Sequence, residues 1–285
     1  MVYVEYQIGA SSYEGPDGET IDTTQAFDIL REALAQKDVQ DLGVTARFQL
    51  AILRFLPNAE DQLRRVYQLV YENPDLLVGV NMVGREDNDK GYPARFLPTL
   101  RELRQQYSGV RLSIHAGEVD EPNEHVRDTL LLGADRIGHG INLISDEDTM
   151  LLMRHGPYLV EINLISNLLL EYVSDYSEHP FPEYLRTGIP VALSSDDRGM
   201  WESTMTDEFY VAATEFNLSW EEIKTLGRNS LEHAFVEDET KERLLQEYNE
   251  RISRFERQVQ RGGVGKLGPM PETRGFVCNR YGFCK

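Results

Sequence analysis

A histidine and a glutamate three residues apart, His115 and Glu118, follow the apolar run Val110–Ile114. A second histidine, His139, stands between two glycines in Gly138-His139-Gly140. Two adjacent aspartates, Asp196 and Asp197, close the stretch Ile189–Ser195. A neutral imidazole can ligate zinc or move a proton. A glutamate just past a flexible Ala-Gly step can face the same pocket and exchange a proton with substrate. Adjacent residues at a strand end point in different directions, so one aspartate can hold a metal while the other accepts a hydrogen bond from substrate. Such groups at successive strand ends form the pattern of a metal-assisted hydrolase on a parallel barrel. A catalytic zinc site takes three protein ligands, and these motifs supply two obvious ones.

Each motif alone has a plainer reading. His115 and Glu118 could occupy an ordinary surface loop, and His139 could be a buried, hydrogen-bonded core residue. Asp197 could cap the next helix. His125, His155, His179 and His233 are read as structural or surface residues. No dinucleotide, Walker, nucleophile-elbow or Cys-x-x-Cys pattern occurs.

The elements that must position these groups alternate. Strands are expected at Val2–Ile8, Val44–Leu53, Leu76–Met82, Val110–Ile114, Asp135–Gly140, Tyr158–Leu164 and Ile189–Ser195. Between them, Asp22-x-x-Gln25 reads as a capping box and Asn58 as a helix cap. Further helices are expected around Leu100–Tyr107, from roughly Glu121 to Leu132, over Asp146–His155 and over Phe181–Arg186. Ser219-x-x-Glu222 opens another, and a last one spans about Glu239–Gln258. Strands separated by helices imply parallel pairing with right-handed crossovers. The expected fold is α/β, a (β/α)8 TIM-type barrel with extra C-terminal helices. It shows seven βα units where such a barrel has eight. One domain is expected over residues 1–260, incomplete at its N-terminus, with a loose Gly- and Pro-containing tail over 261–285.

Net charge is −19, which argues against nucleic-acid binding by a basic surface. No run of 18 apolar residues exists, so no membrane-spanning helix is expected. The run MVYVEYQIGASSY has neither a basic n-region nor a long apolar core, so no secretory leader is expected in it. The only cysteines, Cys278 and Cys284, lie far in sequence from the candidate site. They are either a small disulfide or two free thiols.

Taken together, VYVEY at 2–6, NMVGREDN at 81–88, HAGE at 115–118, RIGHG at 136–140, ISN at 165–167 and SSDD at 194–197 resemble the adenosine deaminase family. The branch most resembled is that of the adenosine deaminase-related growth factors. The resemblance implies a zinc barrel with one Zn2+ per complete site, acting on adenosine or 2'-deoxyadenosine to give inosine and ammonia. It implies His115 and Asp196 as zinc ligands and Glu118 as the acid that protonates purine N1. It implies His139 as the residue that orients and deprotonates the attacking water. Asp197 would contact N7, and the backbone of Gly84 would contact N3.

The family's first strand carries His-x-His, a pattern found nowhere in these 285 residues. The first strand here resembles the family's second. The whole first βα unit is therefore expected to be absent, and activity of this chain by itself to be impaired. Arg198 stands where the family has Pro, and Asn163-Leu164 where it has Cys-Pro. The alternatives are deamination of another aminopurine compound, or an inactive barrel that binds nucleoside or a protein partner.

Overall fold

A computed structural model describes residues 1–86, 90–119, 124–267 and 274–284. Two compact units result, one of residues 1–116 with 123–137, the other of 117–122 with 138–285.

In the first unit, β1 (Tyr3–Gly9), β2 (Thr45–Leu53), β3 (Leu77–Val83) and β4 (Arg111–Ala116) pair in chain order, all parallel. Six of the seven residues of β3 are buried, so both of its faces are covered, as its unbroken apolar run requires. Its one strongly polar residue, Asn81, donates to Gln49 Oε1 at 3.1 Å. Gln49 in turn donates to Glu5 at 2.6 Å, and Arg136 pairs with the same carboxylate. The polar row across these strands is thus bonded internally rather than to water.

The helices between them are α1 (Thr23–Ala35), α2 (Ala59–Glu72), α3 (Leu97–Gln106) and α4 (His125–Leu132). Asp22 and Gln25 form the expected capping box on α1. Asn58 does precede α2, but its side chain bonds no backbone N–H there. It accepts instead from Gln62 Nε2 at 3.0 Å, a side-chain partner one turn on. Residues 121–123, where α4 was expected to begin, lie outside the described residues.

Strand β5 (Arg136–His139) gives its first two residues to the first unit and its last two to the second. In the second unit, β6 (Leu159–Ile162) and β7 (Val191–Leu193) pair in parallel. Around them lie α5 (Glu147–His155), α6 (Leu164–Leu169), α7 (Phe181–Thr187), α8 (Met205–Glu215), α9 (Trp220–Glu232) and α10 (Asp238–Gly262). Ser219 and Glu222 form the expected box on α9.

Three helices go beyond the sequence expectation. The strand expected over Tyr158–Leu164 stops at Ile162, and Leu164 opens α6. Helix α8 starts at a capping box of Thr204 and Asp207. Of the tail, residues 268–273 lie outside the described residues, while Phe276–Tyr281 form a further helix, α11. Cys278 and Cys284 are joined as a disulfide. Among the described residues, no helix is long and apolar enough to cross a membrane.

Candidate active site

The first unit places Gly84 and His115 just at the ends of neighbouring strands. Gly84 has φ +86°, and a Cβ there would come within 2.7 Å of the Phe55 ring. Only glycine meets both demands. His115 is buried on β4. Its carbonyl accepts a hydrogen bond from Arg54 Nη1, and Arg54 Nε donates to Gly91 O at 2.6 Å. Arg54 is fully buried, and the equally buried Glu86 carboxylate lies 3.9 Å from Nη1. A buried cation thus stiffens the backbone beside His115. Asp87 and Asn88, the end of the NMVGREDN run, lie outside the described residues.

The second unit brings Glu118 and His139 together, with Nε2 of His139 3.5 Å from Glu118 Oε1. His139 is wholly buried and sits in the left-handed region at φ +66°. That conformation costs a non-glycine residue about 1–3 kcal/mol, a strain characteristic of functional positions. Burial, reinforced by the neighbouring His179, pulls the imidazole pKa down to about 3, so the ring is neutral at pH 7. Two amides on α6 and its N-terminal flank hold it. Asn167 Nδ2 is 2.9 Å from His139 Nδ1. Asn163 Nδ2 is 3.1 Å from Nδ1 and 3.2 Å from Nε2. An atom equidistant from both ring nitrogens at that range clears the ring carbons only above the ring face, so Asn163 covers the face. Asn167 meets the edge.

Asp196 and Asp197 follow β7. Asp196 also has a left-handed backbone, φ +48°, and its Oδ2 accepts from Ser166 Oγ at 2.6 Å. Asp197 precedes the one-turn helix Arg198–Trp201, yet its side chain makes no capping bond. The carboxylate is left for another use, and burial together with the Asp196 charge raises its pKa. Behind them, Glu208 of α8 accepts from the backbone N–H of Leu164 at 3.1 Å. It is completely buried, which drives its carboxyl well above the ordinary glutamate range, with the charges of Asp196 and Asp207 adding to the rise.

Within single units the structure therefore joins Glu118 to His139, and Asp196 to Ser166. Of the other expected residues, Gly84 and His115 belong to the first unit and Asp197 to the second. Arg54 and Glu208 went unmarked in the sequence, while His179 was read as structural or surface and Asn163 was noted only as standing where the family has Cys. A buried arginine at the end of an apolar strand was the one available signal, Arg54 following Leu50–Leu53 directly. Nothing in the local sequence marks Glu208, an acid in an ordinary amphipathic helix. A neutral imidazole beside a carboxylate can hand a proton across or orient a water between them.

The family model described as Adenosine deaminase matches residues 1–251. The chain is similar to the adenosine deaminase of Enterococcus faecalis, with 30% identity over 215 residues, 74% of this chain and 61% of that protein. It is also similar to the adenine deaminase of Acinetobacter baylyi, with 31% identity over 232 residues, 79% of this chain and 67% of that protein. Among solved structures, the adenine deaminase of Arthrobacter aurescens superposes with a TM-score of 0.73 at 25% identity, over 88% of this chain and 74% of that one. This likeness and the alternating strands and helices bear out the α/β TIM-type barrel class. The chain spans about three fifths of the length of the Enterococcus faecalis relative.

Proposed function

Because the chain belongs to the adenosine deaminase family, we propose that it is a hydrolase that removes the 6-amino group of a purine, its substrate being adenosine or 2'-deoxyadenosine. The observation that carries the reading is the neutral, strained and buried His139 at 3.5 Å from Glu118. That pair supplies a proton carrier and an orienting group in one place, which hydrolysis at an amidine carbon needs. Glu118 protonates purine N1, making C6 electrophilic. His139 orients the water that adds to C6. Asp197, whose side chain caps nothing, accepts a hydrogen bond at the N7 edge. The backbone at Gly84, where a side chain would strike Phe55, lies against N3.

His115 and Asp196 are the proposed zinc donors. Imidazole and carboxylate are both zinc-type ligands, and the Ser166 bond fixes the carboxylate's orientation, as supporting shells of such sites do. When bound, zinc supplies a Lewis acid that makes water a nucleophile near neutral pH. His115 and Asp196 by themselves would hold zinc more loosely than the three donors of a catalytic zinc site, so added zinc should raise the activity. The second reading is a barrel that binds nucleoside without turning it over.

Ammonia release from adenosine and from adenine, with zinc added or chelated, separates these. The proposal expects release from adenosine that a chelator abolishes. Release from adenine alone would move the reading to the free base. Nucleoside binding without ammonia at saturating zinc would establish the inert barrel instead.

A further inference from the structure

His179 looks like an ordinary loop histidine before Pro180, yet it is 3% exposed and lies at the end of a directional chain of hydrogen bonds. The backbone N–H of Phe181 points at His179 Nδ1 at 3.1 Å. A backbone N–H can only donate, so Nδ1 must carry the lone pair and, in the neutral ring, the proton is on Nε2. That Nε2 lies 3.1 Å from the side chain of Asn167. The Asn167 atom facing a donor must be the oxygen, Oδ1, and its Nδ2 must then face the other way. It does, toward His139 Nδ1 at 2.9 Å. An amide nitrogen can only donate, so His139 Nδ1 accepts. Each step follows from the one before and leaves no choice of amide flip or tautomer. All three side chains are buried.

We propose that His179 is a positioning residue that acts through Asn167 to hold His139 as its Nε2–H tautomer. His139 then presents a donor, not a lone pair, on the edge 3.5 Å from Glu118. Of the two tasks the family resemblance assigns to this histidine, the tautomer performs one. It orients an oxygen by donating to it, and it has no site there to receive a proton. The tautomer stands on the hydrogen bonds alone. Only its catalytic meaning rests on the proposed deamination.

The test is nitrogen-15 spectroscopy of the histidines in the full chain, using long-range proton correlations that distinguish protonated from bare ring nitrogens. In the unsubstituted protein, His139 is expected to show a bare Nδ1 and a protonated Nε2. Asn167→Asp, of almost identical shape, turns the donor facing Nδ1 into an acceptor. The Nδ1–H form should then rise at least about tenfold relative to the other. His179→Leu removes the donor that aligns Asn167, and should leave His139 a mixture of tautomers. His179→Gln, which keeps an N–H at that end, should restore a single form. A role confined to packing would alter stability in these variants and leave the tautomer where it was. A protonated Nδ1 in the unsubstituted protein, or a tautomer unmoved by Asn167→Asp, overturns the proposal. Should His179→Leu fail to fold, the unsubstituted protein and Asn167→Asp decide it between them. A chain with the expected tautomer that releases no ammonia would count against the deaminase reading only.

Discussion

Ser166 donates its hydroxyl hydrogen to Asp196 Oδ2 across 2.6 Å, tying helix α6 to the segment after β7. Asp196 holds a left-handed backbone there, and the bond fixes which carboxylate oxygen remains available to a metal. Removing the hydroxyl with Ser166→Ala should lower zinc affinity by roughly 10–100-fold, the usual effect of losing a partner behind a metal ligand. Calorimetric titration with zinc reads this directly. An unchanged affinity would remove Asp196 from the ligand set.

The adjacent aspartates are proposed to divide their work. Asp197→Ala should leave zinc affinity unchanged and weaken nucleoside binding, while Asp196→Ala should weaken zinc binding. Parallel loss of metal in both variants would contradict the division.

Glu118 is the proposed proton donor. Glu118→Gln keeps the shape of the side chain and cannot release a proton. Its kcat for adenosine should fall roughly 10²–10⁴-fold, with a smaller change in KM. Turnover close to that of the unsubstituted protein would assign the proton to another group.

Much of this was legible in the chain itself, for identifiable reasons. Strands β1 to β7 were legible because their apolar runs are bounded, β3 most clearly. The capping boxes at Asp22 and Ser219 were legible because they rest on residues three apart. Asn58 misled because an asparagine before a helix can spend its side chain elsewhere, here on Gln62. Helix α6 was hidden because Leu164, Ile165, Leu168 and Leu169 prolong the apolar pattern of β6 past Asn163, with no Gly or Pro between to mark a boundary. His179 was passed over because its importance lies in a partner twelve residues earlier, Asn167, and contact between them is made by the fold.

Arg54 is wholly buried with Glu86 3.9 Å away, and it also bonds the carbonyls of Gly91 and His115. Arg54→Met removes the cation and leaves a buried carboxylate without it. Unfolding free energy should drop by about 3–5 kcal/mol. Arg54→Met paired with Glu86→Gln should recover a large part of that, since the buried negative charge goes too. Denaturant titration of the single and double variants measures both, and a loss below about 1 kcal/mol in the single variant would show that the pair is not coupled in this way.

Glu208 gives the stability a pH signature. Its folded carboxyl is raised well above the ordinary glutamate value of 4.5, mainly by burial. Between those two values the folded state keeps a proton that the unfolded chain has released. Glu208 therefore contributes stability fully below about pH 4.5 and loses that contribution as pH rises toward its folded value. Glu208→Gln cannot ionise and should not show the decline. Unfolding free energies of the two proteins should diverge with rising pH in favour of the variant. A difference independent of pH would mean that the carboxyl is ionised in the folded protein.

The central claim is hydrolysis at purine C6, and the origin of the new oxygen tests it most directly. Adenosine turned over in heavy-oxygen water, with zinc present, should yield inosine labelled at C6, one labelled oxygen for each ammonia released. Ammonia without matching label in the product, or no conversion of adenosine under these conditions, would contradict the account.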